Sequence, residues 1–173
     1  MDFFETISNR HSIRKFENRA VEQEKLDKIL AAVDAAPSGG DLQGYEVVVV
    51  RDDQSKRALV ESAHGQNSLA ESQVVLVFCA DHLLSGSKYG RRGTDLYSVQ
   101  DATIAAAYAQ LAATSLGLST VWVGAFEPEK VAAVVESPKE VTPVAMIPIG
   151  YAAEEPHSTP RRSLNDLVRQ EKF

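Results

Sequence analysis

Tyr45-Glu46-Val47-Val48-Val49-Val50 carries four valines in a row. An uninterrupted β-branched run predicts a strand buried on both faces, because neither side of the pleat offers water a polar residue. Working outward, Asp52 to Ser62 reads as a helix. Gln73 to Ala80, built on Val74-Val75-Leu76-Val77-Phe78-Cys79, reads as a second buried strand. Upstream, Leu26, Ile29, Leu30 and Val33 recur at three- and four-residue steps, which predicts a helix from Val21 to Ala36. Pro37-Ser38-Gly39-Gly40 stops that helix, since proline disfavours its continuation and the glycines free the backbone. Met1 to Asn9 reads as a short helix with Phe4 and Ile7 spaced for one face.

Downstream, Asp81 to Thr94 is polar and contains glycines, so it reads as a surface loop. Leu96 to Leu116 is the longest helical candidate. Alanines at 102, 105, 106, 107, 109, 112 and 113 would let neighbours approach it closely, as a central helix requires, and Gly117 supplies a C-terminal stop. Ser119 to Val123 reads as a third strand, Pro128 to Val135 as a helix and Pro143 to Ile149 as a fourth strand. Pro160 to Phe173 reads as a basic turn followed by a short helix. Strands alternating with helices place the chain in the α/β or α+β class. No repeat, linker or low-complexity tract divides it, so residues 1–173 are expected to form one domain with a sizeable core.

The net charge is −6, with 44% hydrophobic and 24% charged residues. That balance argues against nucleic acid or an anionic membrane as the main partner. Cys79, the one cysteine, lies inside an apolar run and is expected to be a buried strand residue rather than a nucleophile. It excludes an internal disulfide and fits a reducing cytoplasm. Neither a secretory leader nor an apolar stretch long enough to span a bilayer is evident, so a soluble cytoplasmic protein is expected. No G-x-G-x-x-G follows a strand and no G-x-x-x-x-G-K-[ST] occurs, which disfavours a Rossmann or P-loop nucleotide site. His11, His64, His82 and His157 lack metal-ligand spacing, so no metal is expected.

Arg10-His11-Ser12-Ile13-Arg14-Lys15-Phe16 concentrates positive charge in an otherwise acidic chain. If it runs extended, Arg10, Ser12 and Arg14 point to one side. Forked guanidiniums and a hydroxyl on one face suit the phosphate and polar edge of a nucleotide cofactor. Solvation of a basic turn is the alternative.

Three further segments follow in order. They are Ala36-Pro37-Ser38-Gly39-Gly40-Asp41-Leu42-Gln43, Leu116-Gly117-Leu118-Ser119-Thr120-Val121-Trp122-Val123-Gly124-Ala125-Phe126, and Ile147-Pro148-Ile149-Gly150-Tyr151 with Pro160-Arg161-Arg162-Ser163-Leu164. Together with the basic motif they resemble the nitroreductase family of FMN-dependent oxidoreductases over nearly the whole chain.

The resemblance implies an α+β sandwich with a mainly antiparallel central sheet flanked by helices, assembled as an intertwined homodimer with FMN at the subunit interface. By position it assigns Arg10, His11, Ser12 and Arg14 to the FMN phosphate, ribityl chain and pyrimidine edge, and Arg161 and Arg162 to closing over the phosphate. It places Pro37, Ser38, Asp41 and Gln43 in a loop packed against the flavin, and Gly124 and Ala125 near flavin N5. Asp41 departs from the family's usual asparagine, and Gly44-Tyr45 from its proline-aromatic pair. An ionised carboxylate only accepts hydrogen bonds, and it would repel an anionic reduced flavin.

The implied activity is hydride transfer from NAD(P)H through flavin N5 to a planar acceptor (a nitroaromatic, a quinone or a flavin) in a ping-pong cycle, with Arg14 stabilising developing negative charge. A flavin-storing dimer, or a flavin-fragmenting or dehalogenating enzyme of the same fold, stands as the alternative. A loop between Ala80 and Asp101, where many members carry helical insertions, would leave the active site open.

Overall fold

A computed structural model describes residues 1–173. In chain order its elements are α1 (Phe3–Asn9), α2 (Gln23–Asp34), β1 (Tyr45–Val50), α3 (Asp53–Ser62), α4 (Ser68–Glu71) and β2 (Val74–Asp81). There follow α5 (His82–Arg92), a π-helical turn (Gly93–Tyr97), α6 (Ser98–Ser115), β3 (Ser119–Thr120), α7 (Pro128–Val134), β4 (Val141–Gly150) and α8 (Leu164–Leu167). The four strands form one sheet in the order β1-β2-β4-β3, with every neighbouring pair antiparallel. The α+β class is thereby settled.

Side-chain alternation along β2 divides the core into two layers. Val74, Leu76 and Phe78 pack with Ala145, Ile147 and Ile149 of β4 against α2 and α6. Val75, Val77 and Cys79 turn the other way and pack with Met146, Leu59 of α3 and Val131 of α7. β2 is therefore buried on both faces, and each of its large side chains contributes about 1.5–3 kcal/mol of burial. Cys79 is fully buried, as its sequence context implied.

β1 corrects the expectation of two buried faces. It is one of the two edge strands, and its valines are only partly covered, with Val49 exposed and Val50 alone buried. A β-branched run reports strand propensity, whereas burial depends on what lies beyond the strand. The third strand is also shorter than expected. The register set by Thr120↔Ile149 places Val121 opposite Pro148, which has no N–H to give, and the chain rejoins the sheet at the Val123↔Met146 bridge.

The segment expected to be a loop from Asp81 to Thr94 is helical. Asp81 caps α5, its Oδ1 accepting from Leu84 N–H at 2.9 Å. Its glycines are accommodated by a kink at Gly90 and by the π turn. The His82 ring fastens this region to the sheet. Nδ1 lies 2.9 Å from Thr94 O and 3.0 Å from Ser98 Oγ, and Nε2 lies 3.0 Å from Thr142 Oγ1.

α6 presents Ala102, Ala105, Ala106, Ala109 and Ala113 to the core without exposure. Gly117 ends the helix with φ +74, letting Leu118 N–H reach back to Ala113 O at 2.9 Å. No helix is long and apolar enough to cross a membrane.

Candidate functional site

The basic motif docks on the sheet as an added, extended segment. Ile13 N–H donates to Thr120 O at 3.0 Å, Ala153 N–H to Lys15 O at 2.9 Å, and Glu17 N–H to Tyr151 O at 2.9 Å. Ile13 and Phe16 point inward and are buried, which leaves Ser12 and Arg14 on the outside. Arg10, His11, Ser12 and Arg14 consequently line one cleft of about 500 Å³. Its opposite wall is His157, Ser158, Thr159 and Arg161, brought in from the C-terminal segment.

None of the three guanidiniums pairs with a carboxylate. Ile7 is the one hydrophobic residue of the lining. Unpaired guanidiniums, two imidazoles and several hydroxyls make a donor set suited to a phosphate carried on a hydroxylated chain. That chemistry fits the phosphate-bearing end of FMN.

Arg162 stands apart from Arg161. Its guanidinium donates to Asp166 O, and it does not line the cleft.

The loop after α2 lies in a different cleft. Pro37, Ser38 and Gly39 share about 630 Å³ with Tyr89, Tyr97, Val99, Gln100, Asp101, Thr103 and Ile104. Strain collects in this loop. Gly40, Asp41 and Gln43 have φ of +61, +59 and +51, in the left-handed region that costs a non-glycine residue about 1–2 kcal/mol. Gln43 is turned back onto α2, where Nε2 donates to Asp34 O at 3.0 Å and Asp34 Oδ1 at 3.1 Å. Its N–H donates to Ser38 Oγ at 2.8 Å. The Asp41 carboxylate is exposed, with neither a hydrogen bond nor an ion pair.

Gly124 and Ala125 follow the Val123–Met146 bridge. Ala125 O accepts from Gln66 Nε2 at 2.9 Å, and a Cβ on Gly124 would sit 3.0 Å from Trp122 Nε1. Neither residue lines the two clefts just described. No group of three or more His, Cys, Asp or Glu side chains is arranged to hold a metal ion.

The model of the nitroreductase family matches residues 7–89 and 64–151. The chain belongs to the nitroreductase family. Among the relatives of this nitroreductase-family chain is a Bacillus subtilis FMN reductase (NAD(P)H). It is 32% identical over 185 residues, covering 99% of this chain and 74% of that protein. An NADH dehydrogenase of Thermus thermophilus is 33% identical over 186 residues, covering 92% of this chain and 91% of that one. The solved structure of an NADPH:FMN oxidoreductase from Vibrio harveyi complexed with NAD+ superimposes with a TM-score of 0.90. It has 26% sequence identity, and the match covers 98% of this chain and 77% of that one.

For this nitroreductase-family member, sequence reasoning missed the far wall of the basic cleft. His157, Ser158 and Thr159 belong to no motif, and only the pairing of residues 15–17 with 151–153 carries them to Arg10 and Arg14. Tyr89 was missed because its helix α5 reads as a loop, whereas Tyr97 falls inside the expected Leu96–Leu116 helix but belongs to no motif. Their rings meet edge to face at 5.1 Å beside the 37–43 loop.

Proposed function

We propose that the protein is an FMN-dependent oxidoreductase that passes a hydride from NAD(P)H to a planar acceptor such as a nitroaromatic, a quinone or a flavin. The observation that carries this reading is the convergence of Arg10, His11, Ser12 and Arg14 with Arg161 around one unpaired cationic cleft. The names of the Bacillus and Vibrio relatives support the choice of cofactor and donor. Bound FMN supplies the two-electron chemistry, and the protein's task is to hold and polarise it.

Arg10, Arg161 and the hydroxyls of Ser12 and Thr159 hold the phosphate end. Arg14 supplies fixed positive charge where negative charge develops during reduction, an electrostatic role that needs no nucleophile or base. Pro37, Ser38, Asp41 and Gln43 form the second wall, contributed by a partner subunit, and the backbone at Gly124 and Ala125 leaves room for the reacting atoms. Residues 1–173 act as one flavin-binding domain, and two copies are needed for a complete site.

The dimer is supported by apolar surface that one copy leaves uncovered. Phe3, Phe4 and Ile7 of α1 are exposed, as is Tyr108 of α6. A third cleft, of about 470 Å³, lies between these helices and carries Met1, Phe3, Tyr108 and Leu111. Donor and acceptor use the same face in turn, giving ping-pong kinetics. Initial rates measured against NADPH at several fixed quinone concentrations should give parallel double-reciprocal lines, whereas intersecting lines would refute the shared face.

One observation favours flavin storage instead. The free Asp41 carboxylate, set in a strained loop, would oppose charge on a reduced flavin. Steady-state NAD(P)H oxidation by the FMN-loaded protein separates the two readings, since storage predicts none above free FMN.

A further inference from the structure

We infer that Glu154 is a positioning residue for the anion cleft, using its carboxylate to clamp the backbone beneath Arg14 and so fix the cleft's two walls relative to each other. The inference rests on the FMN reading for its ligand, but not for its geometry. Glu154 Oε1 accepts from Arg14 N–H at 2.6 Å and from Lys15 N–H at 3.2 Å. These bonds begin where regular pairing stops. Glu17 N–H and Ala153 N–H close a short antiparallel pairing between residues 15–17 and 151–153, and no carbonyl serves the Arg14 amide. A side chain takes over, accepting two adjacent amides in the manner of an anion in a backbone nest.

The placement matters because Glu154 stands at the start of the segment that delivers His157, Ser158, Thr159 and Arg161 to the cleft. One carboxylate thus joins the wall bearing Arg14 to the wall bearing Arg161. The Arg14 amide also holds the Glu154 carboxyl below its ordinary range, as the bond geometry requires.

A carboxylate near a phosphate site would be expected to weaken anion binding by repulsion. Clamping and repulsion therefore make opposite demands, and two substitutions separate them. Glu154→Gln keeps an oxygen acceptor and removes the charge. Glu154→Ala removes both.

The test is titration of apoprotein with FMN, followed by quenching of flavin fluorescence, with thermal melts to verify folding. A clamp predicts that Glu154→Ala raises the FMN Kd by about tenfold, while Glu154→Gln stays within about threefold of wild type or binds more tightly. If both variants bind more tightly, Glu154 is only a repulsive charge and the inference falls. Equal weakening by both, or no change in either, overturns it as well.

Amide hydrogen exchange on the wild-type protein gives an arm independent of variants and of FMN. The Arg14 amide should exchange slowly in spite of its exposed side chain, and rapid exchange contradicts the clamp. If wild-type protein binds no FMN while the Arg14 amide is protected, the cofactor reading has failed and the clamp stands.

Discussion

The backbone N–H of Gly39 donates to Oδ1 of Asp101 at 2.9 Å, tying the strained 37–44 loop to the central helix α6. Asp101 is 3% exposed and has no cationic partner. Its Oδ2 and the hydroxyl of Ser85 are buried without hydrogen-bond partners, and both lie beside Gly44. Asp101→Ala leaves the Gly39 amide unsatisfied and should lower stability by about 1–3 kcal/mol. Asp101→Asn keeps the Oδ1 acceptor for Gly39 and removes a buried carboxylate that has no cationic partner, so it should match or exceed wild type. Urea unfolding of the two variants checks the contrast, and equal loss in both would contradict it.

Gly44 is required by space. A Cβ there would lie 2.0 Å from Ser85 Oγ and 3.1 Å from Asp101 Oδ2. Gly44→Ala should therefore cost about 1–3 kcal/mol through overpacking. Adding Ser85→Ala removes the nearer clash and should recover part of that loss. Strict additivity in the double-mutant cycle would show that the two positions do not meet.

These loop contacts also mark where the sequence stopped being informative. The stripe of Leu26, Ile29 and Val33 announced α2, and the run from Val74 to Ala80 announced a strand buried on both sides, because local periodicity records the face each residue turns inward. Position within the sheet leaves no such trace, so the valines of β1 gave no hint that the strand lies at an edge. Glycines and polar residues from Asp81 to Thr94 concealed α5, although Asp81 was available as its cap. Of the site, Arg10, His11, Ser12, Arg14 and Arg161 were legible as motifs, whereas Glu154 and His157 depend on long-range pairing. Arg161 and Arg162 look alike in sequence, and only the fold gives them different neighbours.

That difference is testable. Arg161 lines the basic cleft, whereas Arg162 donates to Asp166 O. Losing one charge-assisted contact to phosphate is worth about 1.5–3 kcal/mol, so Arg161→Ala should weaken FMN binding by roughly 10- to 100-fold. Arg162→Ala should leave it within about twofold. Isothermal titration with FMN makes the comparison, and equal effects would contradict the assignment. Arg14→Ala, studied at saturating FMN, should slow anaerobic reduction by NAD(P)H in stopped flow. Unchanged reduction would remove Arg14 from the charge-stabilising role.

Cys79 should be chemically silent. Burial raises its thiol to about 11, against 9.0 for the free group. A pKa raised on folding contributes stability that is complete below the unfolded value and is lost as the pH climbs from 9.0 toward about 11. Native protein at pH 8 should resist alkylation that denatured protein undergoes at once. Rapid labelling of the folded state would place Cys79 outside the core.

Retention of a reducible flavin by the Arg10–Arg14 and Arg161 walls is the property on which the proposed activity depends. Its most direct test is the visible spectrum of apoprotein incubated with FMN and desalted, recorded before and after anaerobic addition of NADPH or NADH. A yellow protein is expected, with flavin bands that persist through desalting and bleach on addition of the nicotinamide donor. A colourless protein after incubation with FMN would contradict it.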